Sequence, residues 1–150
     1  MAEKQYVVFG LDGAYGIDIL SIQEITRYEI PTRIPNMPEY MEGIINLRGS
    51  IVPVISLRRR FKREAGEITN ESRIIIVDIG QKKIGFLVDS VSQVAMISEG
   101  DIEAPPEIVA GCDRKFIAGI GKTDKGMVIL LEPHAVLSED EKDRLKEMSA

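Results

Sequence analysis

One stretch constrains this chain more than any other: Gly43-Ile44-Ile45-Asn46-Leu47-Arg48-Gly49-Ser50-Ile51-Val52-Pro53-Val54-Ile55-Ser56-Leu57, two apolar runs broken by a charged corner. The runs are rich in β-branched residues and too short for independent helices, so they read as paired strands. Gly49 can take the positive φ that a tight reversal demands. The stretch is therefore a β-hairpin that displays Arg48. Ile51, Pro53, Ile55 and Leu57 on one face and Val52, Val54 and Ser56 on the other are mostly apolar, which predicts cover on both sides, at a junction between two cores. Pro53 lacks an amide donor and marks an edge, a bulge or a place where the sheet opens.

Similar patterns recur along the chain. Gln5 to Leu11 and Tyr15 to Ile19 flank Asp12-Gly13, a hairpin signal, and Ile22 to Ile30 continues as a strand. Pro31, Pro35 and Pro38 then interrupt any ladder. Pro38 suits a first helical position and Gly43 a terminating one, which predicts a short helical turn over 38–42. Arg73 to Ile79 and Ile84 to Asp89 form another hairpin, extended by Val91 to Ile97, and Phe116 to Gly121 pairs with Met127 to Leu131. Ser98 to Arg114, with Pro105-Pro106, is an irregular connection. Ser138-Glu139-Asp140-Glu141 is a capping box opening a helix through Met148, with only Leu145 and Met148 on its apolar side. Tyr15 to Ile25 aligns without gaps on Ile84 to Val94, with glycine, serine and apolar positions coinciding. Two similar small β units in tandem follow from that echo.

Composition excludes several function classes. A chain of 150 residues with one cysteine has the size to bury a core without disulfides or metals. No apolar run approaches the roughly 18 residues that span a bilayer, and Met1 to Lys4 leads straight into a strand pattern, so a cytoplasmic protein without membrane insertion is expected. Net charge of −5 opposes phosphate backbones. The exception is Arg58 to Arg63, five cations in six residues, which reads as a solvated turn or short helix. The single His134 and Cys112 have no partners at metal or nucleophile–base spacing, and both are expected to be inert. Gly121-Lys122-Thr123 lacks the preceding glycine and following helix of a phosphate loop. Asp18, Asp78 and Asp89 read as solvent-facing strand positions. The absence of catalytic equipment points to a protein whose product is an interface. An uncharacterised enzyme or a nucleic-acid-binding small barrel is the alternative.

Tyr15-Gly16-Ile17-Asp18-Ile19, Gln23-Glu24-Ile25, Ile34-Pro35-Asn36-Met37-Pro38-Glu39-Tyr40, the Asn46-Leu47-Arg48-Gly49 corner with Pro53 four residues after Gly49, and Gly85-Phe86-Leu87-Val88-Asp89-Ser90-Val91 together resemble the CheW family of chemotaxis coupling proteins. The resemblance covers nearly the whole chain. It implies an all-β fold of two small five-stranded β-barrels packed together, with short helices including one at the C-terminus, forming one domain over 1–150. It implies an adaptor without catalysis, cofactor or metal, monomeric on its own. The implied partners are the cytoplasmic tip of methyl-accepting chemoreceptors and the regulatory domain of the histidine kinase CheA, within receptor arrays. Carried over by position, Gly43, Arg48 and Val94 are expected at the receptor contact, and Ile22 and Glu24 at the kinase contact.

Overall fold

The computed structural model describes residues 3–64, 66–105, 114–138 and 140–143. The two-residue periodicity resolves into strands β1 (Glu3–Gly10), β2 (Ala14–Asp18), β3 (Ile22–Arg27), β4 (Met41–Leu47), β5 (Ser50–Ser56), β6 (Arg73–Ile79), β7 (Lys82–Val88), β8 (Ser90–Ser98), β9 (Ile102–Glu103), β10 (Ile117–Thr123) and β11 (Gly126–Leu131). One short helix, α1 (Leu57–Arg60), follows β5. Two sheets result, ordered β8-β1-β2-β11-β10-β9 and β3-β6-β7-β5-β4.

The internal echo is real, but the two halves do not each make a sheet. Each sheet takes one hairpin from one half and its flanking strands from the other. The β1–β2 hairpin lies between β8 and β11, and the β6–β7 hairpin lies between β3 and β5. Val91 to Ile97 therefore does not extend its own hairpin but crosses to the other sheet and pairs with β1. Matching irregularities recur in both halves. The register slips at Gln23 in β3 and at Ser92 in β8, positions that the echo aligns, and again at Glu42 in β4 and Ala118 in β10. Gly43 and Gly119 follow the second pair of slips. A Cβ on Gly43 would collide with the Thr32 carbonyl oxygen, and one on Gly119 would meet Ile102 at 2.7 Å. The sixth strand is accounted for in the same way: β9 covers β10, as the single bridge of Thr32 to Ile44 covers β4.

Three cores follow from this arrangement. Ile45, Leu47, Val52, Val54, Ile74, Ile76 and Leu87 fill the inside of the five-stranded sheet. Tyr6, Val8, Ile97, Val128 and Leu130 fill the other. Between the sheets lies a shared core that includes Phe9, Tyr15, Ile17, Ile55, Ile75, Val77, Phe86 and Phe116. Each sheet thus wraps its own core and packs its outer face on the shared one, a pair of barrel-like units. Ile74 to Val77 is apolar without alternation because β6 is buried on both faces. Gly16 and Gly85 leave room at equivalent interior places, Gly16 against Leu130 and Val128, Gly85 against Ile74 and Val54.

The central hairpin forms with Arg48 at φ 49° and Gly49 at φ 89°, a two-residue turn of the type that matches strand twist. The double cover holds from Val52 to Leu57, while Ile51 is exposed. Ile44 exchanges both backbone hydrogen bonds with Thr32, at 2.8 and 2.9 Å, so Pro53 opposite it has no donor to lose toward β4. On its other side the ladder with β7 starts only at Val54. Pro53 sits where the sheet opens, as its chemistry requires.

Several local expectations need correction. Residues 38–42 are not helical: the Met41 amide donates to the Pro38 carbonyl at 3.0 Å to close a single turn, and β4 has already begun at Met41, whose side chain fills the shared core. Gly43 is a bulge glycine within a strand and ends no helix. The first hairpin has a three-residue loop, Leu11 to Gly13, because Leu11 is buried in the shared core. β3 stops at Arg27. The Ser98 to Arg114 connection includes a 3-10 turn at Glu99–Asp101 and β9, and residues 106–113, with Cys112, lie outside the described residues. Ser138 and Glu141 form the expected capping box, the Ser138 amide donating to Glu141 Oε1 at 2.8 Å and the Glu141 amide to Ser138 Oγ at 3.2 Å. Leu145 and Met148 are also outside the described residues.

The basic run is the largest correction. α1 does form, capped by Ser56 Oγ, but three arginines of the run are held in place and not solvated. Arg58, 18% exposed in its side chain, donates to Asp12 Oδ1 at 2.6 Å and to Asp89 Oδ1 at 2.8 Å, and pairs with Asp89 through Oδ2 as well. Asp89 is thus an ion-pair partner, not a solvent-facing carboxylate. Arg60 donates to the Val136 carbonyl at 2.6 Å and to Glu141 Oε1 at 2.9 Å, with its guanidinium over the rings of Tyr40 and Phe116. Arg63 donates to the Leu11 carbonyl at 2.7 Å. These cations fasten the end of β5 to the loops and crossings of the other sheet.

Two outcomes test this packing. Gly85→Ala places a methyl group 2.7 Å from Ile74 Cγ2 and should destabilise the fold by about 1–3 kcal/mol in urea unfolding; an unchanged midpoint contradicts the packing described. Arg58→Ala should lower stability by about 2 kcal/mol at neutral pH through lost charge-assisted hydrogen bonds. Hydrogen bonding to Arg58 holds the Asp12 carboxyl below its ordinary value of 3.8. A carboxyl lowered on folding adds stability above its unfolded value, lost as pH falls through the folded one. Stability of the parent protein should therefore fall below about pH 4, and Arg58→Ala should flatten that part of the curve.

Candidate functional site

β3 and β4 are the two edges of the five-stranded sheet, and the residues expected at separate contacts meet across them. Arg48, at the turn after β4, forms a two-pronged ion pair with Glu24 of β3: Nη1 donates to Oε2 at 3.1 Å and Nη2 pairs with Oε1. The turn aims it there. Asn46 Oδ1 accepts the Gly49 amide at 2.8 Å, which fixes the corner. The pair closes the seam between the sheet edges, with Arg48 71% and Glu24 26% exposed in their side chains. Hydrogen bonding to Arg48 is the largest influence on the Glu24 carboxyl and holds it below the usual range, with Lys83 helping; Arg48 is raised in turn.

The second half carries an analogous seam. Gln93 is the position that the echo aligns with Glu24, and its Oε1 accepts from Lys125 Nζ at 3.2 Å, Lys125 being in the turn between β10 and β11. One seam is closed by two charges and the other by a cation and a neutral amide. Val94, aligned in the same way with Ile25, is 51% exposed on the edge strand β8, and Ile25 is exposed on β3. Leu20, at the crossing from β2 to β3, is 90% exposed.

The expected contact residues are thus distributed as follows. Glu24 and Arg48 form one unit. Ile22 begins the same strand as Glu24 and is partly buried against the shared core. Gly43 is buried in β4 at φ 141° against Thr32, so it shapes the strand that ends at Arg48. Val94 lies on the other sheet. Nothing local in the sequence joins Glu24 to Arg48, although the echo offers a way to locate the pair, since it places Glu24 on Gln93 and the central hairpin on the later one. Leu20, Met96 and Met127 are exposed as well, with no local pattern that sets them apart from core positions.

Among the described residues there is no cluster of three or more metal-ligating side chains, and no helix is long and apolar enough to cross a membrane. His134 is exposed, and Gly121-Lys122-Thr123 lies within β10, not before a helix. Closed seams beside exposed apolar side chains on edge strands describe an interaction module built on two interleaved barrel-like units. The family model of the CheW-like domain matches residues 5–141, and the chain belongs to that family. It is 35% identical over 139 residues to the chemotaxis protein CheW of Klebsiella aerogenes, covering 92% of this chain and 84% of that one. To the chemotaxis protein CheW of Bacillus subtilis it is 34% identical over 138 residues, covering 91% and 88%. The crystal structure of the scaffolding protein TtCheW from Thermoanaerobacter tengcongensis is similar with a TM-score of 0.86 and 42% identity, covering 94% of this chain and 92% of that one. A scaffolding protein as structural neighbour agrees with the reading of this chain as a non-enzyme.

Gly43→Ala forces a Cβ onto the Thr32 carbonyl at a positive φ. It should destabilise the fold by on the order of 2 kcal/mol in thermal or urea unfolding, and a stability like that of the parent chain would remove the structural role given to Gly43.

Proposed function

We propose that the chain is a cytoplasmic chemotaxis scaffold that couples the cytoplasmic tips of methyl-accepting chemoreceptors to the regulatory domain of the histidine kinase CheA, at receptor arrays. Membership of the CheW-like family supports the class of function. The observation that carries the finer reading is the Glu24–Arg48 pair, because it joins a residue assigned to the kinase with one assigned to the receptor. In this reading receptor helices lie beside Arg48, Gly43 shapes the strand behind it, and Val94 supplies an apolar contact from the other sheet. Ile22 and Glu24 face the kinase. A receptor carboxylate that takes Arg48 must compete with Glu24, so occupation of one contact alters the groups available to the other. Signalling is then a shift in how receptor and kinase are held, a population change with no reaction.

The nucleic-acid alternative loses its main support, since Arg58, Arg60 and Arg63 are engaged within the protein.

The test is co-sedimentation with receptor-containing membranes, with and without the kinase. Arg48→Ala should weaken receptor binding about tenfold, as expected for a truncated interface arginine, while its unfolding midpoint stays that of the parent. The charge-exchanged pair Arg48→Glu with Glu24→Arg re-forms the seam but should not restore receptor binding. Full recovery in that variant, or a stability loss in Arg48→Ala as large as a core deletion, would reduce the pair to a structural clasp.

A further inference from the structure

Taking residues 1–64 as the first half and 66–150 as the second, neither half completes any of the three cores. Val52 and Val54 of the first half need Ile74, Ile76 and Leu87 of the second. Tyr6 and Val8 need Ile97, Val128 and Leu130. The shared core mixes both halves throughout. Four strand ladders run between the halves: β1 with β8, β2 with β11, β3 with β6 and β5 with β7. The ionic contacts of Arg58 with Asp89 and of Arg60 with Glu141 also cross between them. The direct covalent link is the segment between Phe61 and Arg73. Its described residues from Glu64 to Glu71 are exposed, and Lys62 at its start holds a non-glycine φ of 61°.

From this we propose that each half of the chain is a binding partner for the complementary half of a second copy, so that two chains form a reciprocally exchanged dimer hinged at 62–72. Every ladder, core contact and ion pair named above re-forms in the exchanged dimer between halves of different chains. The two states then differ mainly in the path of the linker. Exchange of identical elements is a low-cost route to dimers for this reason. A linker this short gives the halves of one chain an effective concentration on the order of millimolar for each other. Monomer should dominate at micromolar concentration, and exchange should appear on refolding near that threshold or when the linker is shortened. The Glu24–Arg48 pair lies wholly within the first half, so the proposal is independent of the function assigned to it.

The full-length chain tests this, with Cys112→Ser removing the native thiol. Arg27 of β3 and Arg73 of β6 are opposite each other in register and belong to different halves. Arg27→Cys and Arg73→Cys are made in separate chains, which are refolded together at about millimolar concentration with oxidised glutathione as the oxidant. In monomers the two cysteines are on different molecules, whereas in the exchanged dimer they face each other. The expected results are a disulfide-linked heterodimer of the two chains, with like pairs nearly absent, and a dimer fraction, by light scattering, that rises several-fold when residues 66–70 are deleted. A chain that stays monomeric in both experiments overturns the proposal. Like and mixed disulfides in statistical proportion overturn it as well, because they mark random surface oxidation. So does a dimer that lacks the mixed disulfide while a single chain carrying both cysteines forms it internally, because that dimer associates through its surface.

Discussion

Two hairpins, β1–β2 and β6–β7, must be buried on both faces, and the rest of the architecture answers that requirement. One face of each turns into a small barrel-like unit and the other into the core between the units. A barrel-like unit of five or six strands encloses little volume, so interior places on the second strand of each hairpin are glycine, at Gly16 and Gly85. The outer faces carry the larger side chains, including Tyr15, Ile17, Phe86 and Val88, which fill the middle layer. Phe9, Tyr15, Phe61 and Phe116 stand in a row through that layer, with successive ring centroids 6.0, 6.1 and 5.4 Å apart. Hydrophobic burial in the middle layer holds the two units together, while arginines seal its margin.

Much of this was legible in the residues. Strand positions, the Gly49 turn, the double cover of Val52 to Leu57, the role of Pro53 and the capping box all rest on local chemistry that neighbouring residues carry. The repeat was legible too, because the glycine and apolar positions of Tyr15 to Ile25 return in the same order from Ile84 to Val94. Which half supplies which hairpin was not. Tandem and interleaved units have the same alternation and the same turns, and differ only in long-range pairing. Gly43 lies within a strand and not at a helix end for a related reason. Proline followed by glycine five residues later fits a helical turn, but Met41 is needed in the shared core and the glycine is needed where Thr32 crosses the strand.

The basic run shows how a charge pattern misleads when its partners are distant in sequence. Asp12 and Asp89 stand 46 and 31 residues from Arg58, one in a hairpin loop and one where β7 passes into β8. Local charge density cannot reveal that convergence. The candidate site was half visible by the same measure. Arg48 is prominent as a displayed cation, but its acceptor sits 24 residues earlier on the opposite edge of the sheet. Its counterpart in the other half, Lys125 with Gln93, keeps the placement, makes one contact where the first pair makes two, and drops one charge. An internally repeated fold can therefore present two similar seams with different responses to salt, since screening weakens the pair of charges more than the cation–amide contact.

The exchanged hairpins also bear on origins. If the repeat arose by duplication, the ancestral half-length chain could not have folded as one free barrel, since a single half leaves every core open. It would have completed its sheets only as a symmetric pair, each copy lending its first hairpin to the other. Joining the two halves in one chain would then turn a concentration-dependent assembly into a single polypeptide. It would also free the two edges to differ, as they do here, one closed by a pair of charges and the other by a cation on an amide.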